Sequence, residues 1–191
     1  MPYTKAHKQK SREKILKSAF HLFSQKGFDC VTIDRVMEDC GLTRGAFYTH
    51  FSSKAELYSC ALSQGASETH LVQRKPDHLS PQEWVELLLN TYFSIEHVKG
   101  ETPCPLAFFA TDISTKNSEA KTTFSGIYQN MNQTILNYVR RYKECDENKV
   151  FAITALAIGT VAIARTMEDE QTILALLSSS RKEAHDMLVA I

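Results

Sequence analysis

Apolar residues along the chain recur at three- and four-residue spacing and almost never alternate, which predicts an all-α protein. The first helix is predicted from about Ser11 to Lys26, with the stripe Ile15, Ala19, Leu22 and Phe23, and it stops at Gly27. A short second helix opens at Thr32 and carries Ile33, Val36 and Met37. A third begins at Thr43 and ends near Phe51. The fourth opens with Ser53-Lys-Ala-Glu56, a capping box, and runs to about Arg74. A fifth starts at Ser80-Pro81 and is expected to continue to Gly100. After the Pro103-Cys104-Pro105 link come a shorter helix, Leu106 to about Lys116, and a long one starting at Asn117 or Ser118. Two more are expected, Glu147 to about Thr166 and Glu170 to about Ala190, for about nine in all.

Charge adds an asymmetry that the neutral total hides. Residues 1–58 carry a net +4 and residues 59–191 a net −4, and the first seventeen residues alone carry +5. Such an arm suits either a polyanionic partner or simple solubility. The five cysteines are odd in number and widely spaced without a C-x-x-C, which favours reduced thiols in a cytoplasmic protein over a disulfide frame or zinc site. No run of 18 apolar residues and no signal-like N-terminus is present, so no membrane partner is expected. None of the nucleophile-elbow, zinc-protease, phosphate-loop or dinucleotide motifs occurs, so no enzyme activity, cofactor or metal is expected.

The second and third helices carry the chemistry. Cys40-Gly41-Leu42 separates them, and Gly41 suits the tight turn that crossed helices need. This is a helix-turn-helix pattern, whose second helix enters the DNA major groove. Thr43 and the start of that helix suit phosphate, and Arg44 suits the O6 and N7 of a guanine. Gly45 keeps bulk away from the duplex, and Tyr48 and His50 suit phosphate or a thymine methyl. Lys54 opposes the dipole of the fourth helix, which a phosphate contact would explain. With Thr32 at the start of the second helix, these are the candidate DNA-binding residues. Tyr48 packed on the first helix and His50 as a solvated helix end are the plainer alternatives.

The stretch ILKSAFHLFSQKGFDCVTIDRVMEDCGLTRGAFYTHFSSKAELY resembles the DNA-binding domain of the TetR family of bacterial transcriptional regulators. The resemblance covers about residues 9–70. It rests on Ala19, Leu22, Phe23, Gly27, Phe28, Thr32-Ile33, Gly41, Arg44-Gly45, Phe47-Tyr48, His50-Phe51, Ser53-Lys54 and Leu57. It implies a DNA-binding domain over 1–56 and an effector-binding and dimerisation domain over 57–191. It further implies a homodimer, usually a repressor, on a palindromic double-stranded operator, released by a small-molecule effector and paired through its last two helices.

The rest of the chain bears on this in part. The segment Val150–Ala164 is apolar almost all round, so it is buried on nearly every side, inside one chain or against a second copy. A second copy is favoured because a helix-turn-helix reader needs two half-sites. Candidate interface residues are Ile153, Ala157, Val161, Ile173, Leu177, Ala184 and Leu188. Candidate effector residues are Trp84, Tyr92, Phe93, Phe108, Phe109, Phe124, Tyr128 and Met131, each of which also serves as plain core. Cys104, between two prolines at a helix start, is either a small apolar filler or a thiol made reactive by the helix. The second option gives an alternative function, a redox or electrophile sensor of the same fold. A helical interaction module that binds no DNA is a further alternative.

Overall fold

In the computed structural model, residues 5–68, 75–100, 104–114 and 118–189 are described. Among them are ten α-helices and no strand: α1 Lys5–Cys30, α2 Ile33–Asp39, α3 Arg44–Phe47, α4 Lys54–Glu68, α5 Pro81–Tyr92, α6 Ile95–Lys99, α7 Pro105–Ser114, α8 Ser118–Val139, α9 Glu147–Ala164 and α10 Glu170–Val189. They form two compact units. One comprises Met1–Glu68 and Phe109–Gly126, the other Thr69–Phe108 and Ile127–Ile191. The expected ends at Arg74, Lys116 and Ala190, with Pro103 and Asn117, lie outside the described residues.

In the first unit, α1 begins earlier than the apolar stripe, so the basic arm is its first turns, with Lys5, Lys8 and Lys10 exposed. At Gly27 the backbone leaves the helix with φ 74°. Ile15, Ala19 and Phe23 are fully buried, and α1 packs along α4. Phe23 and Phe28 both meet Tyr58 edge-on, at 5.0 and 5.1 Å between ring centroids. Asp112 completes this core by accepting hydrogen bonds from the Phe28 amide at 3.1 Å and the Tyr58 hydroxyl at 2.5 Å. Burial, with Asp112 beside it, holds the Tyr58 phenol neutral far above its ordinary range.

The α1–α4 approach depends on a missing side chain. A Cβ on Gly65 would stand 2.0 Å from Cε2 of Phe20, whose ring already lies against Phe109. Gly65→Ala is therefore expected to destabilise the unit by about 1–3 kcal/mol, as overpacking does. Urea unfolding checks this, and a Gly65→Ala, Phe20→Ala double variant should lose less than the two single effects combined.

Local chemistry moved several helix ends. The Thr43–Phe51 helix is only four residues long, because Ala46 O accepts from both Thr49 N and Thr49 Oγ1 and tightens the chain into turns. The capping box of α4 is offset. Ser53 Oγ accepts from Glu56 N, but the Glu56 carboxylate binds the amide and hydroxyl of Ser52 instead of closing on Ser53. Ser80 and Glu83 make the full box at the start of α5. The expected helix from Ser80 to Gly100 is two, since the Ser94 side chain accepts from His97 N and starts α6 afresh.

The second unit is built on α9 and α10, with α5 and α6 against them. Val150, Ile153, Val161 and Ala164 of α9 are buried, as are Ile173, Leu177, Ala184 and Leu188 of α10. The buried hydroxyls of Thr154, Thr160 and Ser180 are satisfied. Thr160 donates to Ser180 at 2.9 Å, and Thr154 shares hydrogen bonds with Asn132 and Tyr128. Asp146 caps α9 by accepting from Asn148 N.

Candidate nucleic-acid interface

Helices α2 and α3 and the turn between them form one small module. Thr32 caps α2 by accepting from Arg35 N at 3.1 Å. After α2, Gly41 turns the chain with φ 68°, in the left-handed region where a side chain is strained. Its amide bonds Glu38 O, and the Leu42 amide bonds Met37 O at 2.8 Å, which closes the helix end. Val36 and Met37 then face inward together with Phe47, which is fully buried, and Phe51.

With Phe47 as the anchor, the opposite face of α3 is left in water. Thr43, Arg44, Gly45, Tyr48 and Thr49 are all exposed. Tyr48 is 57% exposed, a large aromatic that meets Phe47 edge-on. Thr43 takes cap geometry, but its side chain makes no cap hydrogen bond. Gly45 is not required by the fold: a Cβ there would meet only Thr43 Oγ1, at 3.9 Å. Arg44 donates to Asp34 at 2.6 Å across the turn.

Two candidate residues face differently from expectation. Lys54 does not reach out. Its ammonium donates to Phe28 O at 2.8 Å and Val31 O at 2.9 Å and lies 4.2 Å from the centre of the Phe28 ring. Those carbonyls end α1 and lead into α2, so Lys54 ties three helices together, and this accounts for the cation in the first turn of α4. His50 is half-buried, and its Nδ1 has no partner among the described residues. Burial, then Lys8 and Arg12, push its imidazole below the ordinary histidine range. It is thus a neutral donor or acceptor at the domain edge near pH 7.

Sequence reasoning missed Asp34 and Asp112. Asp34 carried a signal, since opposite charges opened two consecutive short helices. Asp112 carried none, because 84 residues separate it from Phe28.

The candidate effector residues divide between the two units. Phe109 and Phe124 belong to the first unit, where Phe109 is fully buried and meets Tyr58 edge-on. In the second unit Trp84 and Phe93 are buried, and Phe108 and Met131 are half-buried. The Trp84 indole N–H has no partner among the described residues. Tyr128 hydrogen-bonds Thr154 at 3.0 Å, and Tyr92 pairs with Cys104 at 3.0 Å.

Cys104 is 4% exposed, and burial raises its thiol pKa despite hydrogen bonds from Tyr92 and the α7 amides. The expected activation by the helix start is outweighed by desolvation, so the structure speaks against a sensing thiol. Under native conditions iodoacetamide should label exposed Cys30 at least about tenfold faster than Cys104. Equal rates, followed by peptide mass spectrometry, would restore the sensor reading.

All seven candidate interface residues, Ile153, Ala157, Val161, Ile173, Leu177, Ala184 and Leu188, are buried by their own chain. They join α9 and α10 within one copy and are closed to a second. The apolar surface these helices leave open is a different one, with Ile163 at 51% and Leu174 at 47% exposure beside exposed Ala152, Ala155 and Ala175.

A helix-turn-helix held on α1 and α4, with a polar and aromatic face directed outward, is the arrangement of DNA-binding domains found in transcriptional regulators. Residues 15–59 match the sequence model of the bacterial regulatory proteins, tetR family. An uncharacterized HTH-type transcriptional regulator of Bacillus subtilis, YerO, is 27% identical over 155 residues, covering 78% of this chain and 53% of YerO. The HTH-type transcriptional regulator AcrR of Shigella flexneri is 41% identical over 56 residues, 29% of this chain and 26% of AcrR. The chain thus spans about half the length of YerO and less of AcrR. A TetR transcriptional regulator from Chloroflexus aurantiacus has the same fold, with a TM-score of 0.79 at 19% identity over 96% of each chain. The similarity to the tetR family thus rests on residues 15–59, the stretch that holds α2 and α3.

Proposed function

We propose that this protein is a homodimeric transcriptional repressor that binds a palindromic operator through α2 and α3 and is released by a small-molecule effector. It is not an enzyme. One observation carries the reading: Phe47 is fully buried while its neighbours Thr43, Arg44, Gly45 and Tyr48 stand in water without a structural need to do so. A polar, aromatic face with an open glycine matches what a duplex groove requires, with Arg44 at the bases and Thr43, Tyr48 and His50 at the backbone. Exposed Lys5, Lys8 and Lys10 add a salt-dependent attraction for phosphate.

The homodimer is supported by the open apolar strip on α9 and α10. Ala152, Ala155 and Gly159 permit close helix approach, and Ile163 and Leu174 supply bulk. Effector binding is assigned to the second unit, where Trp84 keeps a buried, unpartnered N–H.

A mobility shift on DNA flanking the protein's own gene, run at about 50 and 200 mM salt, tests the reading. A shifted complex that weakens steeply with salt, from a protein sedimenting as a dimer, is the expected result. Absence of any shift on palindromic duplexes, or a shift indifferent to salt, would favour a helical interaction module instead.

A further inference from the structure

Arg44 is already held in the free protein. Its Nη1 donates to Oδ2 of Asp34 at 2.6 Å. Asp34 stands in the first turn of α2, one helix before the residue it grips. The two paired side chains are 59% and 60% exposed, so the core uses neither. Exposed ion pairs add little to stability. A carboxylate on a face that meets phosphates also weakens binding. Neither folding nor affinity therefore explains the pair.

Orientation does. A free arginine side chain carries rotamer entropy that is lost when it docks. A guanidinium has five N–H donors in a planar fork. With one Nη1 hydrogen on Asp34, the remaining edge still presents two parallel donors, which is what guanine O6 and N7 accept. The partner is on α2, so the fork's direction is set by the crossing of the two helices and not by Arg44 alone.

We infer that Asp34 is a specificity-determining positioning residue: its carboxylate pre-orients the Arg44 guanidinium toward one base pair, and preference at that base pair depends on Asp34. This rests on the reading of the chain as a sequence-specific DNA-binding protein.

The full chain, Asp34→Asn, Arg44→Ala and the double variant are each carried through selection from random duplexes. Each is then titrated by fluorescence anisotropy on the wild-type site and on its single-base-pair variants. The Arg44-dependent base pair is the one whose preference Arg44→Ala removes. At that base pair Asp34→Asn should reduce discrimination roughly five- to tenfold, leave the other positions unchanged, and add nothing in the double variant. Its thermal midpoint should match that of the wild type, since the site is exposed. Unchanged discrimination, with affinity raised equally on every duplex, would overturn the inference and leave Asp34 as a charge that merely repels phosphate. An Arg44→Ala variant that keeps every preference would overturn it too. A wild-type chain that selects no sequence would instead remove the DNA-reading proposal itself.

Discussion

Arg44→Ala should cut binding to the selected operator about 5- to 100-fold while leaving binding to unrelated duplexes nearly unchanged. The size follows from the loss of one bidentate contact to a base, about 1–3 kcal/mol. Fold stability should stay within about 0.5 kcal/mol, because the side chain is exposed and its ion pair with Asp34 lies in water. Titrations on specific and non-specific DNA at fixed salt measure both arms. An equal loss on both duplexes would mean that Arg44 meets phosphate, and the base-reading role would pass to another residue of the exposed face.

Lys54→Ala should instead fail as a structural variant. The residue donates to Phe28 O and Val31 O, and its removal leaves both carbonyls without that partner. Hydrogen bonds from a charged donor contribute more than neutral ones, so a loss of about 1–3 kcal/mol is expected in urea unfolding, with an unchanged m-value. At temperatures where the variant is still folded, the salt dependence of DNA binding should equal that of the wild type. A stable Lys54→Ala protein whose salt slope falls by about one unit would show that the lysine meets phosphate after all.

These two residues show where sequence reasoning works and where it stops. Arg44 was legible because it opens a short helix directly after the Thr43 cap, and the first residues of such a helix are the ones presented to DNA. Phe47 goes inward while Arg44 stays exposed. Lys54 looked equally outward, being a cation at a helix start. Its long stem folds back to carbonyls 23 and 26 residues earlier in the chain, and no local pattern encodes that reach. The interface residues failed similarly. The apolar period of α9 and α10 identifies a buried face. Both an intrachain and an interchain partner bury such a face equally well, and the structure assigns it to the chain itself. Cys104 followed the same course, since a helix start is local but burial is not.

The sequence by itself determined the helical class, most helix starts, the turn at Gly41 and the division of the Thr43–Phe51 stretch into inward and outward residues. Periodicity, capping side chains and glycine geometry act within a few residues, so they are written locally. Only the tertiary structure decided that Asp34 grips Arg44, that Asp112 joins Phe28 to Tyr58, that Lys54 turns inward, and which faces of α9 and α10 remain open. Each of those depends on which distant groups share a volume, and on the desolvation and hydrogen bonding that follow once they do.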